Sequence, residues 1–456
     1  VRNLLLIAVD TLRPDHLGCY GYGRATSPNL DELAAESDLC TACWSASNFT
    51  APAFTSLFTG LYPNHHGVFD FGAKVRRSPV REVLTAAGVR TAGIVTFRFF
   101  RRLLEDIWGE IEAVTDTRSR DYAKELPRAV TDAALEWLAG YGGQRPFALF
   151  LHYDGPHLPY RLPAEHAGRF GDPKPPTGER DLAALLCPQE RDDLGPGGRE
   201  IVGHMFAAIE RIDRGRRRVT PAFQRWLVDR YDESIRYNDE EIGRLLAELR
   251  ARGLLDQTVV AVISDHGEEL LDHGHLSHGG IHLYESVIRT VALIRDPARP
   301  TPHRIGRPVS HVQLLPWLLR LAGAEPLPDA WRRLDLRSGA AGEPIYCIGE
   351  FKSAIRDGDL KYVRRRILPS HGWLKRQRLR AKLLLLREWR DELFDLAADP
   401  GERVDLIGRR PHGELARRLA THFATPAPDL GFSDRDDLSA AERARIEQEL
   451  RDLGYL

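Results

Sequence analysis

Apolar residues along the chain follow two rhythms. Leu4 to Val9, Arg90 to Val95, Pro146 to Leu151 and Thr258 to Ser264 are short runs with few polar interruptions. A strand with one wet face alternates apolar and polar residues, whereas an unbroken run predicts a strand covered on both faces, as in a parallel sheet. Helical spacing fills the intervals: Asn29 to Ala34 after the Thr26-Ser27-Pro28 turn, Val80 to Ala87, Val130 to Tyr141, Phe223 to Leu249 and Ser310 to Ala322. Gly88 and Gly253 follow two of these helices, where a left-handed cap is favoured. Strand and helix in alternation predict an α/β fold with a large, mostly parallel central sheet.

The rhythm fails in two places. From about Ala167 to Arg199 it decays into Pro, Gly and charge, and Arg211 to Arg218 is strongly basic. Such a length predicts a functional excursion, so 167–218 is read as an insertion or loop region, with its arginines on a solvated turn. Pro297 to Pro308 reads as a connecting segment. Beyond Glu343, short strand patterns recur at hairpin spacing: Pro344 to Gly349, Ser353 to Arg356, Leu360 to Val363 and Glu392 to Leu396, then a helix from Leu415 to Phe423. The chain is therefore divided into a main α/β domain over 1–340 and a smaller C-terminal α+β subdomain over 341–456.

Composition narrows the function. With 43% hydrophobic and 28% charged residues the 456-residue chain has ordinary globular content, and no run reaches the length of a membrane span. A net charge of -1 supplies no bulk attraction to nucleic acid or to an anionic membrane. Arg364 to Arg366 and Lys375 to Lys382 are read as solvated faces. Five cysteines in a sparse, odd set predict reduced structural thiols, and Cys40 with Cys43 alone is weak evidence for zinc. No charged leader precedes the first strand, so a cytoplasmic location is expected.

Chemistry gathers at element boundaries. Asp10 follows the first apolar run, and Asp265 and His266 follow the Thr258 to Ser264 run. The carboxyl ends of parallel strands are where open α/β sheets bind ligands. Thr50 stands just before Pro52, which fits the first turn of a helix, so its hydroxyl would meet an anion at the positive helix end. One Asp after a strand is most often a turn residue, and one Thr before a Pro is most often a cap. A second strand ending in Asp-His shifts that balance. Asp10, Asp265, His266 and the Thr50 hydroxyl form a donor set for one divalent cation (manganese, zinc or calcium), which would lower the hydroxyl pKa and shield an anionic ester. His152, His157, His273, His275, His278 and His282 are candidate proton donors or ester contacts, with His278 preferred first and His273 second.

Several ordered segments carry a resemblance: Ala8 to Gly21 with Ser27 to Asp31, Thr50-Ala51-Pro52 through Thr59 to Pro63, His66-Gly67-Val68 and Pro156 to Tyr160. Ser264 to Glu269, His278-Gly279 with Leu283 to Glu285, and Leu393 to Leu396 with Asp399 to Glu402 continue the series. The chain thus resembles the sulfatase family of the alkaline phosphatase superfamily over nearly its whole length. The resemblance implies an alkaline-phosphatase-like α/β sandwich with a C-terminal small-sheet subdomain and one divalent metal. It also implies that Asp10, Asp265 and His266 are metal ligands and that Thr50 is ligand and nucleophile together. His157 and His278 would contact the transferred group or protonate the leaving oxygen, and Asp15 is left as a turn residue.

The departures from the family pattern matter as much. Sulfatases carry Cys or Ser at the Thr50 position, oxidised to formylglycine, with Arg four residues later; here that later residue is Phe54. The threonine methyl blocks the aldehyde. The family's Gly-Lys segment is replaced by Val95-Thr96-Phe97-Arg98, where Arg98 offers a substitute charge. A Thr at this place resembles the branch that handles phosphorus esters. The expectation is a hydrolase of small anionic phosphate-type esters acting through a covalent Thr50 intermediate. The alternatives are a phospho-group transferase to an alcohol or sugar, a sulfate ester hydrolase without formylglycine, and a non-catalytic relative that binds an anion or partner.

Overall fold

The computed structural model describes the chain except residues 72, 76–77, 115–125, 189–197, 280, 300–301, 335, 337–342, 367–388, 428–434, 438, 440, 442–443 and 445–456. Its central sheet has eight strands: β1 (Asn3–Val9), β2 (Asp38–Cys40), β3 (Arg90–Val95), β4 (Ile111–Ala113), β5 (Phe147–Tyr153), β6 (Thr258–Ile263), β7 (Ala292–Arg295) and β8 (His303–Ile305). They stand in the order β8-β2-β7-β6-β1-β5-β3-β4. Every neighbouring pair is parallel except the two made by β7. The fold is the α/β class expected, with a large, mostly parallel sheet.

The unbroken apolar runs have a direct cause. Every residue of β1 and β6 is buried, and their side chains divide by parity between two cores. Leu4, Leu6 and Ala8 join Val259, Ala261 and Ile263 on one face, while Leu5, Ile7 and Val9 join Val260 and Val262 on the other. Each large aliphatic side chain buried this way stabilises the fold by about 1.5–3 kcal/mol, so neither face tolerates polar alternation. The central strand β1 sits between β6 and β5, with Ala8 opposite both Ile263 and His152.

The helix Thr50–Thr59 is buried along its whole length and packs on the helix His311–Ala322. It ends at Gly60, whose φ of 68° is left-handed. A Cβ there would lie 2.6 Å from the Trp331 indole nitrogen. That nitrogen donates to the Thr59 carbonyl at 3.0 Å, so backbone angle and space both require glycine and the far end of the helix is pinned.

Two expectations need correction. The 167–218 stretch is not one loop, for it contains the helices Arg180–Leu186 and Gly198–Asp213. Leu182, Ala183 and Leu186 of the first, and Met205, Ala208, Ile209 and Ile212 of the second, are buried in one core. Their spacing is a helical stripe that the Pro- and Gly-rich flanks obscure. Arg217, from the basic run, pairs with Asp181 at 2.9 Å. Pro297 to Pro308 is likewise more than a connector, because it contributes β8 to the sheet edge beside β2.

Towards the C-terminus, β9 (Ile345–Ile348), β10 (Lys352–Asp357), β11 (Leu360–Arg365) and β12 (Glu392–Asp395) form an antiparallel sheet in that order. The helix Gly413–Ala424 packs against it, with Leu415 and Leu419 meeting Ile355, Tyr362 and Leu393. On the opposite face Cys347, Ala354, Val363 and Phe394 pack with Trp44, Leu283, Val287 and Ile288 of the main sheet's domain. Lys361, buried in that junction, pairs with Glu285 at 3.2 Å and Glu402 at 2.7 Å. The boundary expected at 340 and the basic stretch Lys375 to Lys382 lie outside the described residues. All five cysteines are free thiols, and no helix among the described residues is long and apolar enough to cross a membrane.

Candidate active site

Three neighbouring strands, β6, β1 and β5, end side by side, and their ends bring Asp265, Asp10 and His152 together. Asp10, Asp265 and His266 are buried, and each offers a ligand atom within 4.8 Å of the others. Thr50 Oγ1, at the start of its helix, lies 3.0 Å from His266 Nε2. The His266 Nδ1–H donates to the Gly267 carbonyl at 3.0 Å. That bond fixes the tautomer, so Nε2 presents its lone pair to the cluster and the Thr50 hydroxyl donates to it. Gly267 is itself required, since a Cβ there would sit 2.2 Å from the Ser286 carbonyl oxygen.

Asp265 Oδ1 accepts the backbone N–H groups of Thr11 at 3.1 Å and His266 at 2.8 Å. Asp265 Oδ2 and both oxygens of Asp10 have no hydrogen-bond partner despite full burial. His152 Nε2 is 3.4 Å from Asp10 Oδ2. Burial, followed by the charges of Asp265, Asp154 and Glu268, pushes the Asp10 carboxyl well above the usual range. Burial acts the same way on Asp265, but the His266 and His152 imidazoles and two backbone N–H groups outweigh it and hold that carboxyl low. Two buried carboxylates with orphaned oxygens, next to an imidazole lone pair, are costly alone and are satisfied by a divalent cation. The donor set therefore fits the ion expected from the sequence.

His278 and His157 both reach the site. The His278 ring centroid is 4.3 Å from that of His266 and 4.8 Å from that of His157. His278 Nδ1 lies 3.2 Å from Glu268 Oε1, and His157 Nδ1 closes onto the Leu158 carbonyl. Burial and then the neighbouring His278 lower the His157 pKa to about 3, and burial and then His266 lower that of His278. His275 and His282 stack on each other at 3.6 Å. Asp15 stays in its turn and binds the Arg13 guanidinium at 2.7 Å.

His273, expected as a second proton donor, is placed elsewhere. Its ring lies 3.7 Å from Tyr284, Nδ1 meets Glu269 Oε1 at 2.9 Å and Nε2 donates to the Gly401 carbonyl at 3.0 Å. Both ring nitrogens are used, so His273 clasps the loop after β6 to the C-terminal segment. Burial lowers its pKa, but the bond to Glu269 outweighs this and the value sits above the ordinary one. A raised folded-state pKa gives stability that is full below the unfolded value, about 6.5, and is lost as pH rises through the folded value. His273→Ala is therefore expected to destabilise the protein by roughly 1.5–3 kcal/mol in acid, and by less in alkali. Urea unfolding midpoints of both proteins at two pH values check this.

Phe54, at the position where the resemblance implies an arginine, packs its ring among Phe58, Phe100, Phe150 and His152. The Arg98 side chain lies outside the described residues. His152, one of the histidines expected at the site, is a polar residue near the end of an otherwise apolar strand. Glu268, two residues after His266, is not singled out in the sequence, and a buried carboxylate beside the expected donor set is the signal that would have found it.

A model of the Sulfatase family matches residues 2–324. The uncharacterized sulfatase YidJ of Escherichia coli (strain K12) is 24% identical over 453 residues, covering 89% of this chain and 83% of that protein. The N-acetylglucosamine-6-O-sulfatase of Bacteroides thetaiotaomicron is 21% identical over 491 residues, covering 91% of this chain and 84% of that one. The solved structure of phosphonate monoester hydrolase SpPMH from Silicibacter pomeroyi superimposes with a TM-score of 0.68 at 20% identity, covering 92% of this chain and 95% of that chain. The matched span contains Asp10, Thr50, Asp265 and His266 together with His157 and His278, and the chain belongs to the sulfatase family.

Proposed function

We propose that the protein is a metal-dependent hydrolase of phosphate-type esters that works through a covalent intermediate on Thr50. One observation carries this reading: the Thr50 hydroxyl lies 3.0 Å from His266 Nε2, beside the unsatisfied carboxylates, at the start of a buried helix. Asp10, Asp265, His266 and Thr50 would hold one divalent ion, manganese, zinc or calcium. When bound, such an ion offsets the charge of an anionic ester and eases loss of the hydroxyl proton.

The chain's own residues do the rest. Thr50 gives up its hydroxyl proton to solvent and its Oγ attacks phosphorus, the ester P–O bond breaks, and the leaving oxygen takes a proton from the imidazolium of His278 or His157. Water then displaces Thr50 from the phospho-threonine, returning a proton to the imidazole, and Thr50 Oγ takes up a proton from solvent to restore the hydroxyl. The Thr50 and Ala51 N–H groups, which precede the first intrahelical bond, would be available to the anionic oxygens of the ester.

Thr50 also carries the preference for phosphorus. Its methyl group prevents formation of an aldehyde, and Phe54 puts an apolar ring where formylglycine sulfatases keep a guanidinium. The likeness in fold to the phosphonate monoester hydrolase SpPMH is compatible with this reading. Sulfate ester hydrolysis by unmodified threonine is the second reading, favoured by the two sequence relatives, both of which are named sulfatases. A panel of p-nitrophenyl esters (phosphate monoester, phosphate diester, phenylphosphonate and sulfate), assayed with each of the three metals, separates them. A higher kcat/KM for at least one phosphorus ester than for the sulfate is expected. A clear preference for the sulfate would overturn the proposal.

A further inference from the structure

We infer that Glu268 is a positioning residue for His278, fixing which of its ring nitrogens meets the reacting ester. The inference rests on the reading of His278 as the acid that protonates the leaving oxygen. Glu268 is fully buried, and each of its carboxylate oxygens has a single task. Oε2 accepts the Tyr160 hydroxyl at 2.8 Å, and Oε1 faces His278 Nδ1 at 3.2 Å. The main chain is held as well, since Arg13 Nη1 donates to the Glu268 carbonyl at 3.0 Å.

Tyr160 is an anchor rather than a swinging group. It is buried, its N–H donates to the Leu186 carbonyl at 2.8 Å, and its ring meets Tyr231 edge-on at 5.8 Å. The carboxylate is therefore clamped at one oxygen and points the other at the imidazole. A carboxylate on one ring nitrogen sets both the tautomer and the ring orientation. With the Nδ1–H donating to Glu268, Nε2 is the nitrogen left to serve the ester.

The proton count closes on that arrangement. His278 enters this step as the imidazolium, a charge favoured by the anionic ester and the Glu268 carboxylate; as the P–O bond breaks, its Nε2 proton passes to the leaving oxygen while the Nδ1 proton stays on the Glu268 side. Nε2 then recovers a proton from the water that attacks phospho-Thr50. Without Glu268 the ring is free to present either nitrogen, and protonation of the leaving group suffers while attack at phosphorus does not.

The test compares two esters that share the retained group: p-nitrophenyl phenylphosphonate, whose leaving group departs without help, and phenyl phenylphosphonate, whose leaving group needs a proton. Glu268→Ala, Glu268→Gln, Tyr160→Phe, His278→Ala and the Glu268→Ala/His278→Ala double variant are assayed with the same metal, and bound metal is measured in each. Glu268→Ala is expected to lower kcat for the phenyl ester roughly 10–100-fold, with a much smaller loss for the p-nitrophenyl ester. KM and bound metal should hold. Glu268→Gln should recover part of the loss, because its amide oxygen still accepts the Nδ1 proton, and Tyr160→Phe should show the same pattern more weakly. The double variant should be no worse than His278→Ala alone.

Equal losses on the two esters, loss of metal, or additive losses in the double variant would overturn the inference. If His278→Ala shows the leaving-group dependence and Glu268→Ala does not, the positioning role alone fails. If neither shows it, the reading of His278 as the acid fails and this inference falls with it.

Discussion

Thr50→Ala is expected to lower turnover of the best phosphorus ester by roughly 10⁴–10⁶-fold, the scale on which nucleophile deletions act. The fold should survive the change. Thr50 is buried, and its hydroxyl makes one hydrogen bond, to His266, so the cost to stability is about 1 kcal/mol. Its helix is held by Phe54, Leu57 and Phe58 in the core and by Gly60 and Trp331 at the far end, none of which the substitution touches. Thr50→Ser keeps an attacking oxygen and should retain much of the activity. If alanine leaves kcat within about tenfold of the native value, the oxygen that attacks phosphorus comes from somewhere else.

Asp10→Asn should produce effects of opposite sign with and without metal. Both Asp10 oxygens are buried with no hydrogen-bond partner, and the charges that act most on them, Asp265, Asp154 and Glu268, are all acidic. Removing that negative charge relieves a repulsion, so the metal-free variant is expected to melt above the metal-free native protein. Metal reverses the order. An ion present at 100 times its dissociation constant stabilises the native protein by about 2.7 kcal/mol, and the variant, short of one charged ligand, should gain little. Thermal unfolding with chelator and with added manganese, zinc or calcium reads both halves, and metal analysis should find one ion per native chain. A native protein that no divalent ion stabilises would contradict the ligand assignment.

The candidate cation cluster is legible in the sequence because each member sits where a hydrophobic rhythm stops. Asp10 follows a strand, Asp265 and His266 follow another, and Thr50 opens a helix, so periodicity marks their positions, while the second strand-end Asp-His pair and the family resemblance supply the roles. The partners are less legible because they depend on strand order. His152 reaches Asp10 only because β5 lies beside β1, although more than a hundred residues separate them in the chain. His273 and His278 share one histidine-rich loop, and local pattern cannot rank them. The fold does, by turning His273 toward Gly401, 128 residues away, and His278 toward His266. The two helices within 167–218 did carry a readable apolar stripe, but Pro and Gly on either side outweighed it. Phe54 shows the reverse case, since one apolar residue in a motif position reports a lost charge that the fold then fills with aromatic rings.

A covalent Thr50 intermediate makes a prediction that does not depend on its accumulating. In-line displacement inverts phosphorus, so attack by Thr50 followed by attack by water inverts it twice. Hydrolysis of a single stereoisomer of a p-nitrophenyl phosphorothioate diester in oxygen-18 water, with the product configuration assigned, is the direct measurement. Net retention at phosphorus is the predicted result, and net inversion would mean that water attacks the ester itself and that Thr50 is not the nucleophile.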